Sequence, residues 1–226
     1  MRGLFVTGTD TGVGKSIVAA AACAALAESG ETVAAFKPAV TGTAEPAGDW
    51  PADHELLAAA AGSGQTPAEV APYRFEPALS PHYAAQLSGE KIEPSRLMAA
   101  AREASAAGIL VCEGVGGLLV PLTPGYLVRD LAVDLGLPVV VAARTGLGTI
   151  NHALLTVEAA RAAGLRVTGV VMTPWPARPS PLEVSNAETV SRLTGVHVSG
   201  LPWTTPDRLA GAGVALPLAD WLADPV

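Results

Sequence analysis

The chain has 226 residues, of which half are apolar and only 15% are charged. This length suits one α/β domain with a large core, and we predict a single domain over residues 1–226. The formal net charge of −7 argues against a protein that grips nucleic acid or an anionic membrane. The first apolar stretch is too short for a signal peptide, and no run approaches the ~20 residues that span a membrane. We therefore expect a cytoplasmic protein.

Short β-branched runs alternate with longer Ala-rich segments along the chain. A strand is predicted over residues 4–7, followed by a Gly-rich turn and a helix over 15–28 that Gly30 ends. A second strand over 32–36 is followed by a loop over 41–50 and a helix over 53–61. The irregular, Pro-rich stretch 62–93 predicts only loops and one short helix.

Pro94 opens a helix that runs to about residue 107, because proline suits a first helical turn. Further strands are predicted over 109–112, 139–142, 167–172 and 196–199. Apolar strands that alternate with helices indicate a doubly wound, mostly parallel sheet with helices on both faces. Ligands of such sheets bind beyond the carboxyl ends of the strands. We therefore expect the site in the segments that follow them, which are residues 8–16, 37–41, 113–117, 144–151 and 173–175.

Residues 8–16 have the composition of a phosphate-binding loop between a strand and a helix. The glycines allow backbone N–H groups to point inward, and the helix N-terminus adds partial positive charge. Lys15 can reach the β- and γ-phosphates of a nucleoside triphosphate, and the Ser16 hydroxyl can ligate Mg²⁺. The usual spacing needs glycine at position 9, whereas this chain has Thr9 there and the glycine at Gly8. An ordinary Gly-rich turn would need neither Gly-Lys-Ser nor this placement.

Two acidic residues are candidate Mg²⁺ ligands. Glu113 follows an apolar strand, and the glycine-rich residues 114–117 indicate close backbone approach to a ligand rather than a charge that emerges into solvent. Asp53 lies in the first turn of a helix, where the helix dipole favours an acid in any case, so both readings stay open. Cys23 and Cys112 lie in apolar runs and are expected to be small buried side chains.

Several ordered motifs together make the whole chain resemble the dethiobiotin synthetase family. The phosphate loop matches the displaced loop of that family, with Ser16 where threonine is usual. Lys37-Pro38 followed by Thr41-Gly42 matches its second-strand motif, and residues 113–117 match its Glu-Gly-Ala-Gly-Gly loop with Val115 replacing alanine. Residues 147–152 and 200–203 resemble a loop-to-helix motif and the closing nucleotide-binding segment.

The resemblance implies a reaction in which 7,8-diaminononanoate, CO₂ or bicarbonate, and ATP give dethiobiotin, ADP and phosphate. It implies that Lys15 and Lys37 flank the carbamate and the γ-phosphate, because two lysines and Mg²⁺ can hold the negative charges that meet there. It also implies that Ser16, Asp53 and Glu113 serve Mg²⁺.

The resemblance further implies contacts with the substrate and the nucleotide. Thr11, Thr41 and Asn151 would contact the substrate, and the segment 146–151 would hold its carboxylate tail across the interface of a homodimer. A helix N-cap role suits Asn151 as well. The other nucleotide-binding positions are Gly12, Val13, Gly14, Ile17, Gly114, Val115, Gly116, Thr173, Pro202, Trp203 and Thr204.

Three other classes of protein stay open. Chromosome-partitioning ATPases share the displaced loop, but they carry an extra lysine near its start, where this chain has Asp10. Cobyrinate-type amidotransferases would need a further glutaminase domain with a cysteine nucleophile. A nucleotide-dependent switch without a metabolite is disfavoured only by the family motifs.

The segment 173–175 bears on the choice of base. Many members of the family carry an asparagine shortly after the strand equivalent to 167–172, and its amide reads adenine. Here Thr173 offers one hydroxyl and Pro174 has no backbone N–H. We therefore expect relaxed base selectivity, with Trp175 and Trp203 as stacking or packing residues.

Overall fold

Ten strands occur in the computed structural model, which describes residues 1–45 and 48–223. In chain order they are β1 (Gly3–Gly8), β2 (Val33–Phe36), β3 (Val40–Thr41), β4 (Arg74–Phe75), β5 (Ile109–Glu113), β6 (Pro121–Thr123), β7 (Tyr126–Leu127), β8 (Val139–Ala143), β9 (Val167–Trp175) and β10 (Val198–Pro202). Six of them form one parallel sheet in the order β10-β9-β8-β1-β5-β2. The predicted loop 41–50 and the predicted domain end include residues 46, 47 and 224–226, which lie outside the described residues.

Helices connect these strands and cover the sheet. They are α1 (Lys15–Glu28), α2 (Asp53–Ala61), α3 (Pro67–Val70), α4 (Pro81–Leu87), α5 (Pro94–Ser105), α6 (Val128–Leu135), α7 (Thr149–Ala162), α8 (Pro181–Thr194), α9 (Leu209–Gly213) and α10 (Leu218–Leu222). Within the described part of the chain, no helix combines the length and the apolar character that a membrane crossing requires.

Alternating residues of the central strands contribute to two separate hydrophobic cores, one on each face of the sheet. On β1, Leu4 and Val6 pack with Val18 of α1 and Leu57 of α2 on one face. Phe5 packs on the opposite face, in the core to which α5, α6, α7 and α8 contribute. Because both faces are covered, the strands are continuously apolar. The predicted doubly wound parallel sheet is confirmed.

Some predicted boundaries are wrong. Strand β9 continues through Trp175, so residues 173–175 belong to the strand rather than to the turn after it. Strand β10 begins at Val198, two residues later than predicted, and ends at Pro202, three residues later than predicted. The stretch 62–93 holds α3 and α4 as well as β4, which pairs with β3. Strands of two residues are too short for a periodic pattern to reveal.

Close packing of small residues attaches α9 to α1. A Cβ atom on Gly213 would lie 2.3 Å from the carbonyl oxygen of Ala21 and 2.7 Å from the Cβ of Ala25. Gly211, in the same helix, has open space around the same position. Alanine substitutions at the two glycines can therefore be compared, because both change the backbone freedom of the chain but only the one at Gly213 causes a clash.

We expect Gly213→Ala to lower the free energy of unfolding by about 1–3 kcal/mol, because the backbone of α1 must shift to admit the methyl group. Gly211→Ala should raise it by up to about 1 kcal/mol, because alanine restricts the unfolded chain without a clash. Urea unfolding of both variants measures the difference. Equal stabilities would show that α9 accommodates a side chain at Gly213.

Candidate functional site

The loop between β1 and α1 has the curvature that its glycines predict. Gly12 and Gly14 have φ angles of 69° and 90°, in a region that residues with a side chain rarely adopt. A Cβ atom on Gly14 would lie 2.5 Å from the methyl carbon of Thr173. Because the N-cap residue Gly14 has no side chain, it leaves the first N–H groups of α1 uncapped. Such groups are suited to bind an anion.

Two side chains in the first turn of α1, those of Lys15 and Ser16, donate hydrogen bonds to groups outside the helix. The Nζ atom of Lys15 donates a hydrogen bond of 2.8 Å to the carbonyl oxygen of Asp10, which folds the lysine back over the loop. The hydroxyl of Ser16 donates one of 2.9 Å to Oε1 of Glu113. This bond connects the phosphate loop with the carboxyl end of β5.

A buried ion-pair cluster lies beside this loop. Lys37 follows β2 and is 3% exposed, and Glu113 ends the neighbouring strand β5 with no exposure. The Nζ atom of Lys37 lies 2.7 Å from Oε1 of Glu113 and 2.5 Å from Oδ2 of Asp53, at the start of α2. The second oxygen of Glu113, Oε2, is buried without a hydrogen-bond partner among the described residues.

The cluster sets the protonation of its members. Burial by itself lowers the pKa of Lys37, but the charges of Glu113 and Asp53 outweigh it and hold the pKa above its usual value. Burial raises the pKa of Asp53, yet the ion pair with Lys37 is stronger and leaves it lowered. Burial raises the pKa of Glu113, with Lys37 in opposition. Burial lowers the pKa of Lys15. Lys37 is therefore a stable cation.

These groups line a cavity of about 410 Å³, here called the lysine cavity. The structure brings together twelve of the residues predicted from sequence, namely Thr11, Gly12, Gly14, Lys15, Ser16, Ile17, Lys37, Thr41, Asp53, Glu113, Val115 and Gly116. Ala39 and Val40 also line this cavity and belong to the predicted site segment 37–41, whereas sequence reasoning missed Trp50. Trp50 lies in a segment without local periodicity, so no pattern marked it.

A second cavity of about 470 Å³, here called the tryptophan cavity, shares Gly12 and Gly14 with the lysine cavity. The predicted residues Gly12, Val13, Gly14, Ile17, Thr173, Pro202, Trp203 and Thr204 line it. Arg144, Thr145, Gly146 and Pro174, which belong to the predicted site segments 144–151 and 173–175, line it as well, together with the unpredicted Trp50. Trp203 is 74% exposed, whereas Trp175 packs into the core and against Gly200. Of the two tryptophans considered from sequence, Trp203 lines this cavity and Trp175 is a packing residue.

Two predicted residues lie outside both cavities. Gly114 is buried, and a Cβ atom there would lie 2.9 Å from Val128 and 3.3 Å from Phe5. Core packing thus requires this glycine. Asn151 is exposed on α7, whose N-cap is Gly148. The N-cap interpretation of Asn151 is therefore wrong, because the helix begins at Thr149, two residues earlier.

A larger cavity, of about 590 Å³, lies far from these groups. It is formed by residues near the amino ends of β1, β8 and β9. Arg2 and Arg166 are the charged residues of its lining, and Arg2 pairs with Glu31. Parallel sheets bind their ligands at the opposite edge, and the reactive side chains of this protein also gather there.

The oxygen atoms beside the lysine cavity suit Mg²⁺. This ion takes hard oxygen ligands and is usually held by one or two carboxylates, with phosphate oxygens and water completing the octahedron. Ser16, Asp53 and Glu113 offer such a set, and the unpartnered Oε2 of Glu113 is a free ligand atom. In the described residues, no three His, Cys, Asp or Glu side chains gather as a complete protein metal cage.

The displaced phosphate loop at the carboxyl edge of this sheet defines a P-loop nucleotide-binding protein. A ParA family ATPase from Chlorobium tepidum shares the fold, with a TM-score of 0.53 and 13% identity over 96% of this chain and 92% of that one. The MinC:MinD cell division protein complex of Aquifex aeolicus gives a TM-score of 0.57 and 14% identity over 100% and 98%. At such identities the likeness concerns the fold alone.

Sequence comparison narrows the class. A family model described as an AAA domain matches residues 2–205. ATP-dependent dethiobiotin synthetase BioD of Anaeromyxobacter dehalogenans is 44% identical over 90% of this chain and 91% of its own length. The proteins of the same name from Bacillus licheniformis and Bacillus subtilis are 39% and 34% identical over 89% of this chain, and 85% and 87% of their own lengths. The chain belongs to the dethiobiotin synthetase family.

Proposed function

We propose that this protein is a dethiobiotin synthetase, one synthetase domain that uses ATP and Mg²⁺ to carboxylate 7,8-diaminononanoate and close its ureido ring. The observation that carries the proposal is the meeting of Lys15 and Lys37 with an oxygen cluster in one cavity beside the phosphate loop. Membership of the family supplies the substrates. The P-loop proteins of similar fold are too distant in sequence to favour a partitioning ATPase instead.

The chemistry has three steps that the cavity can serve. One amine of the substrate takes up CO₂ and loses a proton, which gives a carbamate. A carbamate oxygen attacks the γ-phosphorus of ATP, the bond to the β-phosphate oxygen breaks, and ADP leaves. The second amine then attacks the carbonyl carbon of the mixed anhydride, and phosphate leaves as the ring closes.

The second step brings two anions together, and the lysines reduce that repulsion. A cation in a water-poor site stabilises developing charge far better than one in water. Lys37 is buried and charged, and Lys15 needs only to exchange the carbonyl of Asp10 for a phosphate oxygen. Thr11 and Thr41 line the same cavity, where their hydroxyls can hold the substrate amines.

Ser16, Asp53 and Glu113 are the residues that would hold Mg²⁺ in this proposal. The ion would supply positive charge that offsets the charge of the phosphate oxygens and of the departing ADP. The two carboxylates at present share the Lys37 ammonium. The ammonium lowers the pKa of Asp53 and opposes the effect of burial on the pKa of Glu113, and Oε2 of Glu113 stays without a partner among the described residues.

The test of the function is a direct assay of product formation. Purified protein is incubated with diaminononanoate, labelled bicarbonate, ATP and Mg²⁺, and dethiobiotin is identified by mass spectrometry. One label should enter each dethiobiotin, with one phosphate released. ATP hydrolysis that is unchanged by diaminononanoate would instead favour a nucleotide switch.

Lys37→Gln should lower kcat by roughly 10²–10³, the loss that follows removal of one preorganised charge-stabilising donor. ATP affinity should change less, because Lys15 and the loop amides remain. Lys91→Gln is the matched control, since Lys91 is exposed and lies outside both cavities. Steady-state kinetics with ATP and diaminononanoate varied in turn provide the measurement. A loss confined to ATP affinity would remove Lys37 from the chemical step.

Glu113→Gln should raise the Mg²⁺ concentration needed for half-maximal turnover by at least roughly tenfold, with a smaller effect on diaminononanoate binding. The amide keeps the shape of the side chain but loses the charge that attracts the ion. Titration with Mg²⁺ compares this variant with Glu103→Gln, an exposed residue of α5. Wild-type activity of Glu113→Gln at limiting Mg²⁺ would show that the metal binds elsewhere.

The tryptophan cavity is the proposed place of the ribose and base. Thr173 and Pro174 form part of its wall, where a side-chain amide would be needed to read adenine. Trp203 and Trp50 offer ring faces, and stacking on such faces tolerates every base.

We therefore expect CTP and GTP to support turnover with kcat/KM within roughly tenfold of ATP, a gap of ~1.4 kcal/mol. Shape alone discriminates between analogues by only ~1–3 kcal/mol, whereas a dedicated hydrogen-bonding site rejects them more strongly. Comparison of kcat/KM for the four common triphosphates decides the matter. A preference for ATP above ~100-fold would mean that other groups read adenine.

The substrate's carboxylate tail is proposed to lie between two copies of the chain. Residues of the phosphate loop and of α7 line a cavity of about 400 Å³. Leu155, in its lining, is 56% exposed. Leu147, near Asn151, is 88% exposed. Exposed apolar groups of this kind are typical of interfaces. Light scattering of the purified protein should report a homodimer, and a single-chain mass would oppose this placement.

A further inference from the structure

The loop between β8 and α7 is held in place by buried side chains. Three consecutive carbonyl groups, those of Arg144, Thr145 and Gly146, each accept a hydrogen bond. The Oγ1 atom of Thr149 donates to the first at 2.6 Å, and Nδ2 of Asn186 donates to the other two at 2.9 and 3.3 Å. All three loop residues line the tryptophan cavity.

Asn186 has no evident use other than to fix this loop. It lies in the middle of α8, where asparagine is a poor helix former, and it is only 4% exposed. A buried amide destabilises the fold unless it is hydrogen-bonded. Its bonds reach back about 40 residues, to the wall of the tryptophan cavity, rather than to its own helix.

The loop between β8 and α7 places Arg144 beside the phosphate loop. Nη2 of Arg144 donates a hydrogen bond of 3.2 Å to the carbonyl oxygen of Thr11, and it lies 3.8 Å from a carboxylate oxygen of Asp10. The side chain is 62% exposed. A guanidinium group has five N–H donors, so most of them stay available. Arg144 is the one charged residue among the described residues that line the tryptophan cavity.

We propose that Arg144 binds the polyphosphate of the nucleoside triphosphate, and that Asn186 is the residue that positions it. This inference rests on the nucleotide-binding part of the proposed function. The phosphate-loop motif includes neither residue. Lys15 and Lys37 line the lysine cavity, and Arg144 adds a cation from the tryptophan cavity, which shares Gly12 and Gly14 with it.

The chemistry of the ligand follows from the guanidinium group. Its planar fork matches two phosphate oxygens at once, and phosphate contacts of arginine are often bidentate. The contact with Thr11 places the fork beside the loop that curls around the phosphates. A chain of net charge −7 also needs local cations to hold a polyanion.

The experiment measures binding of ADP by calorimetry, without catalysis. Arg144→Gln should lower the affinity for ADP about tenfold, which is the loss expected for one charge-assisted contact in a partly exposed site. The affinities for CDP and GDP should fall by the same factor. Unchanged ADP affinity, or a loss confined to one base, would overturn the proposal. Failure of the wild-type protein to bind any nucleotide would instead contradict the proposed function.

Two controls separate binding from a structural role of Arg144. Asp10→Asn removes the charge beside the guanidinium but keeps the oxygen that accepts from the N–H of Thr11. ADP affinity should stay the same or rise. A tenfold loss in this variant would mean that Arg144 acts only by pairing with Asp10. Arg192→Gln, an exposed arginine of α8, should leave ADP affinity unchanged. A tenfold loss there would reduce the Arg144 effect to a general charge effect.

A double-mutant cycle tests Asn186. Asn186→Ser should lower the affinity for ADP several-fold in the wild-type background. In the Arg144→Gln background the loss should be less than twofold, because Asn186 acts through the arginine. Urea unfolding identifies the folded variants, and Asn186→Asp replaces Asn186→Ser if the latter does not fold. Equal losses in both backgrounds would overturn the positioning role.

Discussion

The buried ion pair between Lys37 and Glu113 is the interaction on which the rest of the site depends. Lys37 directly follows β2 and Glu113 ends the neighbouring parallel strand β5, so the sheet itself brings the charges to 2.7 Å. Burial of either charge alone would be strongly unfavourable, and removal of one partner from such a pair typically costs 3–5 kcal/mol. Asp53 of α2 accepts from the same Nζ atom of Lys37, and Ser16 of α1 donates to the same Oε1 atom of Glu113. The pair thus joins two strands and two helices around one cavity.

Local rather than overall charge makes this protein fit for an anionic ligand. The chain is acidic, yet Lys15, Lys37 and Arg144 gather around the phosphate loop. Uncapped N–H groups at the start of α1 add to the same positive potential. The two carboxylates of the cluster offset part of it. This balance of charges suits the proposed joint binding of Mg²⁺ and a triphosphate.

The two cavities differ in the chemical character of their linings, as the proposed division between phosphate chemistry and base binding requires. The lysine cavity holds every acid and lysine of the cluster, whereas apolar, aromatic and small polar residues form most of the tryptophan cavity. Gly12, Gly14, Ile17 and Trp50 line both, so the phosphate chain can pass from one to the other. Thr173 packs its methyl group against the position that a Gly14 side chain would occupy. That wall is held by packing rather than by a hydrogen-bonding group that selects a base.

The sequence by itself determined the six strands of the main sheet, helices α1, α2 and α5, the phosphate loop and the lysine and acid candidates, because these depend on local periodicity and on motifs of a few residues. The strands β3, β4, β6 and β7 have only two or three residues, too few for such a pattern. Helix α2 occurs with the predicted bounds, and Lys37 and Glu113 meet as the carboxyl-edge rule predicts. Asp53, which the sequence left open on local features, joins them from the start of α2. Only the tertiary structure decided that Trp203 lines a cavity while Trp175 packs in the core, that Gly114 serves packing, and that Asn186 reaches the loop at Arg144. The physical reason is that side-chain direction and contacts between residues far apart in the chain are set when the helices settle on the sheet, and no local pattern encodes them.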